Sequence, residues 1–149
     1  MYFDIRVHPA ALCNQDLETM RSFGVSHAVL VADGTIHPAM PRAIIAAFEQ
    51  LLFVDRPRFA AAGITTWVAL GVHPAALPRR GLNEVLALLP QLIAQGGVAA
   101  LGLVGLTHGT PHEVDALLQQ LDIARRFKLP VMTTVPAQNQ VKTTKQLLS

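Results

Sequence analysis

Five near-continuous apolar runs, each followed by a stretch with helical spacing, constrain this chain more than any other feature. The runs are 2–7 (YFDIRV), 26–32 (SHAVLVA), 65–72 (TTWVALGV), 98–106 (VAALGLVGL) and 131–135 (VMTTV). Alternating strand and helix signals predict parallel strands joined by helical crossovers. Strands that are apolar almost throughout predict a sheet covered on both faces, so the class is α/β. Helices are expected over 14–23, 41–62, 82–95 and 111–128, with another beginning at 141. Asn14 serves as N-cap of the first, Pro57 interrupts the second and Pro90 kinks the third. Thr110, Pro111 and Glu113 give the fourth a capping box with proline at its first position. The shape of the sheet stays open here. A closed eight-stranded barrel takes about 250 residues, so five units of such a barrel and an open doubly wound parallel sheet both fit. Neither a Walker A sequence nor a G-x-G-x-x-G loop follows the first run, so a nucleotide-binding fold has no positive support.

With 149 residues, 51% hydrophobic and 15% charged, the chain reads as one domain over 1–149, and its low charge argues against disorder. No apolar run reaches the roughly eighteen residues of a membrane span, and the N-terminus lacks a basic-then-apolar signal. A cytoplasmic protein without a membrane partner is expected. The single cysteine, Cys13, excludes an internal disulfide and cannot make a Cys-type zinc site, so any metal would use His, Asp or Glu. Twelve Lys and Arg against ten Asp and Glu give a net charge of +2, which predicts no general nucleic-acid surface. Acidic residues end at Asp122, while Arg125, Arg126, Lys128, Lys142 and Lys145 follow; this cationic end reads as a solvated helix face and tail.

Parallel α/β folds gather their functional groups at the carboxyl ends of strands. Here those positions hold His8, Asp33 with His37, His73, and Thr107 with His108. His8, His37 and His73 each precede a proline, which biases them to extended backbone at a strand end. His27, His37, His108 and His112 taken singly read as ordinary loop or surface histidines, whereas His8 and His73 are functional candidates. Along the first strand, Asp4, Arg6 and His8 are expected on one side and Phe3, Ile5 and Val7 on the other. That spacing allows either an internal Asp4 to Arg6 ion pair or an anion site made by Arg6 and His8.

Several segments together carry a family resemblance. DIRVHP at 4–9, ALGVHPAALP at 69–78, VAALGLVGL at 98–106, QLDIARRFKLPV at 120–131 and P-x-x-N-Q-x-x-x-T-K at 136–145 resemble successive landmarks of the TatD-related metal-dependent hydrolases. These are amidohydrolase-like TIM barrels. The resemblance implies that this chain corresponds to the first five βα units of an eight-unit barrel, without the C-terminal units.

It also implies where a metal shell would stand. The family's first strand carries D-x-H-x-H, and the first histidine position falls on Arg6 while the second falls on His8. The glutamate of the family's G-E-I-G-L strand falls on Leu103, and the histidine of its L-P-V-x-x-H strand on Thr134. Leucine offers no lone pair, a neutral threonine hydroxyl is a poor zinc ligand, and Arg6 brings a fixed positive charge to a cation's place. The expectation is therefore a TatD-like member with a degenerate metal site and weak or no catalysis. Its mouth, lined by Arg6, His8, His73 and Thr134, would bind a small anionic ligand as a pseudoenzyme, with no cofactor at full occupancy. One alternative is an active hydrolase of phosphodiester, amide or ester bonds that holds Zn or Mn on a rebuilt single-metal site of His8, His73 and Asp33, with His108 nearby. Another is an assembly module or part of a longer barrel, its exposed strand edges covered by self-association or by a partner.

Overall fold

The computed structural model describes residues 1–32, 38–135, 141, 142, 145 and 149; Asp33 and His37 lie outside them. Five strands, β1 (Tyr2–Val7), β2 (Val25–Val31), β3 (Thr65–Leu70), β4 (Val98–Gly105) and β5 (Val131–Thr134), form one sheet in the order β1-β2-β3-β4-β5. Every neighbouring pair is parallel.

The helices between them are α1 (Asn14–Ser22), α2 (Pro41–Glu49), α3 (Arg56–Ala61), α4 (Leu82–Ala94) and α5 (Pro111–Phe127). Leu17 of α1, Phe48 of α2, Leu89 of α4 and Leu117 of α5 all join one apolar core with Leu30, Val68, Leu70, Leu101 and Val104. The alternate strand positions Val29, Val31, Ala69, Ala100 and Leu103 form a second, smaller cluster made of strand residues, with Met132 against it. The doubly wound alternative is thereby corrected. Such a sheet reverses its strand order and carries helices on both faces, whereas this one runs in chain order and packs its helices on one face. The sheet curls into a half-barrel, and its inner side chains bury one another.

Several local expectations shift. Cys13, not Asn14, is the N-cap of α1; its side chain accepts the Asp16 N–H while the Asp16 carboxylate accepts the Cys13 N–H at 2.7 Å. The interruption expected at Pro57 falls just before it: a wider π-type turn over Gln50–Asp55 separates α2 from α3, which starts at Arg56. Proline lacks the amide hydrogen that an α-helix uses and its ring crowds the turn before it, and the wider turn falls on that preceding stretch. α4 runs through Pro90 as one helix. Thr110 caps α5 as the spacing implies, accepting the Glu113 N–H at 3.2 Å.

Candidate functional site

Three helix side chains brace the loops at the carboxyl ends of the strands. After β1, the Arg58 guanidinium donates to Leu12 O at 2.6 Å and Pro9 O at 2.9 Å while pairing with buried Asp55. After β3, buried Gln120 accepts the Val72 N–H at 2.7 Å and donates back to Val72 O at 3.3 Å, fixing the residue before His73. After β4, one oxygen of buried Glu113 accepts three backbone N–H groups, from Thr107 and His108 at 2.9 Å and Gly109 at 2.8 Å. Burial pushes the Glu113 carboxyl up, but these amides and the His108 ring beside it outweigh burial and hold it below its usual range.

Upon this frame sit the residues expected to act. His8 follows β1, and its Nδ1 is buried with no hydrogen-bond partner among the described residues. His73 caps the short turn Pro74–Ala76 by accepting the Ala75 N–H on Nδ1 at 3.1 Å. It also lines a small enclosed cavity of about 30 Å³ with Ala32, Ile44, Phe48 and Leu103. Thr134 ends β5, paired with Gly105 of β4. A Cβ on Gly105, whose φ is +153°, would collide with Thr134 O, so this glycine is what lets the two strands meet.

The Asp4, Arg6, His8 side of β1 is not assembled as the alternation predicted. The ladder to β2 slips between Asp4 and Val7, so three steps on β1 oppose two on β2. Phe3 consequently meets His27 and Trp67, with ring centres 6.3 Å away in each case, while Val7 enters the helix-side core. Asp4 does not pair with the Arg6 guanidinium; its carboxylate accepts the Arg6 backbone N–H at 3.0 Å. Arg6 is exposed, and its guanidinium has no hydrogen bond or ion pair among the described residues.

Among the described residues no three His, Cys, Asp or Glu side chains converge to hold an ion. Nδ1 of His73 is engaged by the Ala75 N–H. Leu103 is only 6% exposed within the inner apolar cluster. The remaining candidate, Asp33, lies outside the described residues. The His108 side chain is 78% exposed and turns toward Glu113, 3.6 Å away. Glu113 and Gln120 were not expected at the site; for Glu113 the Thr-Pro-x-Glu cap was the available signal, and for Gln120 only its place on the apolar side of α5.

No family model matches the chain. It is 26% identical over 137 residues to an uncharacterized metal-dependent hydrolase of Methanocaldococcus jannaschii, covering 92% of this chain and 54% of that protein. The crystal structure of a TatD-like protein from Archaeoglobus fulgidus superposes with a TM-score of 0.87 at 29% identity. That match covers 99% of this chain and 61% of the other. The chain thus spans about half the length of the curated relative.

Proposed function

We propose, on the premise that this chain is TatD-related in sequence and fold, that it is a member with a degenerate metal site which binds a small anionic ligand at the mouth of the half-barrel. The observation that carries this reading is Leu103, buried in an apolar cluster at the position where the family resemblance expects a metal-bridging glutamate. Metal-assisted hydrolysis needs a cation to generate hydroxide near neutral pH. Without that shell, the residues left at the strand ends are hydrogen-bond donors and a cation: Arg6, His8, His73 and Thr134. Arg6 brings an unneutralised guanidinium able to fork onto a carboxylate or phosphate. His8 and the Thr134 hydroxyl would orient that anion, and the braced loops would keep the ligand's surroundings rigid.

The second reading, a hydrolase with a single metal on His8, His73 and Asp33, draws support from the curated relative, which is described as metal-dependent. It would act on a phosphodiester, amide or ester bond. One preparation separates the two. Protein purified without chelator should carry under about 0.1 Zn or Mn per chain, far from the full occupancy of a structural or catalytic site. Phosphate or carboxylate binding by calorimetry should weaken in Arg6→Ala by about tenfold, the worth of one charge-assisted contact. Stoichiometric metal, or hydrolysis rescued by added Zn²⁺ or Mn²⁺, would establish the second reading instead.

A further inference from the structure

We propose a second anion receptor, distinct from the Arg6 mouth: the cleft between residues 38–41 and residues 78–80, where Arg79 and Arg80 would hold a small, multiply charged oxyanion. The cleft has a volume of about 680 Å³, with Pro38, Met40 and Pro41 on one side and Pro78, Arg79 and Arg80 on the other. That is ample for a small ligand.

The two loops are built together. The Ala39 N–H donates to Ala76 O at 3.2 Å. Gly81, at φ +81°, approaches Pro41 so closely that a Cβ would stand 2.7 Å from Pro41 Cγ. From α5, the His112 ring donates through Nε2 to Pro78 O at 3.1 Å. The segment carrying the two arginines is therefore tied at its start by His112 and runs close against Pro41 at its end. Three prolines stiffen the walls, so little chain has to be ordered when a ligand arrives.

Both arginines are exposed, and neither has a hydrogen bond or ion pair among the described residues. Among the described residues no acidic side chain lines the cleft. The Glu84 carboxylate packs toward Gly81, 3.4 Å from where a Cβ would stand, yet it pairs with neither arginine. Two adjacent arginines on a braced loop, neither engaged by another side chain among the described residues, each present the planar fork that an oxyanion accepts. The proposal does not depend on the mouth: its residues come from other loops, and it stands if Arg6 binds nothing.

The test is calorimetry on the 149-residue chain with inorganic phosphate and, separately, citrate, against chloride at matched ionic strength. Saturable binding of either ion is expected, and Arg79→Ala/Arg80→Ala should weaken it by about tenfold or more, since charge-assisted contacts are lost. Because the two side chains hold nothing within the fold, this variant should fold normally. Arg125→Ala, which removes an exposed arginine already paired with Asp122 at 2.9 Å, should leave the affinity unchanged and so exclude a bulk charge effect. Preference for phosphate or for citrate then identifies the oxyanion. The proposal is overturned if neither ion binds beyond chloride, if the double variant binds as well as the parent, or if only Arg6→Ala abolishes binding.

Discussion

Glu113 is 7% exposed, a position where a carboxylate survives only with donors around it. Its three amide hydrogens do more than stabilise a charge; they close the loop after β4 onto the first turn of α5. Glu113→Gln keeps the size but loses the charge: a neutral carbonyl oxygen takes the place of the oxygen that accepts the three N–H groups, and an NH₂ group replaces the oxygen facing His108. It should cost about 2 kcal/mol of stability at pH 7, the scale of hydrogen bonds to a charged group. Since the folded carboxyl lies below its ordinary range, its contribution is fully present above the unfolded value and is lost as pH falls through the folded one. Urea unfolding of parent and variant should therefore show a gap at pH 7 that narrows below pH 4.5, the ordinary carboxyl value. A gap independent of pH would mean that shape, not charge, holds the loop. Asp16 is also held low by its bonds to Cys13, but it titrates equally in both proteins and cancels in the comparison.

At the scale of elements, the β4–β5 contact depends on glycine. Gly105→Ala forces a methyl group onto the Thr134 carbonyl and should cost about 3 kcal/mol, the upper range for overpacking. Gly96→Ala, at φ +88° with open space around it, should cost only the left-handed backbone penalty of about 1–2 kcal/mol. Equal losses in denaturant titrations would contradict the steric account. The elements themselves were legible: continuous apolar runs marked all five strands to within a residue or two, and Thr110 and Pro111 marked the start of α5. What could not be read depends on partners far along the chain. Arg58 reaches the carbonyls of Leu12 and Pro9, and Gln120 reaches Val72, contacts that local spacing does not encode. The slip in β1 hides for the same reason: alternation put Phe3 and Val7 on one face, and only pairing with β2 reveals the extra residue that separates them. Of the site, the resemblance pointed to the positions of Arg6, Leu103 and Thr134, but not to the apolar packing that surrounds Leu103 or the turn that engages His73.

For the whole molecule, strand order decides more than strand content. A sheet that runs β1 to β5 in chain order and curls has two outer edges, which a closed barrel would join. Along β1, Tyr2, Phe3 and Ile5 are 67%, 57% and 62% exposed, an apolar strip beside backbone that pairs with β2 on one side. The Asp4 carboxylate blunts that edge by taking the Arg6 N–H, and the bulge bends it, but neither covers the strip. Exposed, apolar edges attract other strands, so we propose that β1 is covered by a second copy of the chain. The 149-residue chain alone should then exceed monomer mass by light scattering at high micromolar concentration. Ile5→Lys, which puts a charge on the exposed strip without touching the core, should return it toward monomer while leaving thermal unfolding of the monomer within about 0.5 kcal/mol, as for other surface changes. If the parent chain stays monomeric as concentration rises, the slip and the Asp4 contact are sufficient protection, and β1 needs no partner.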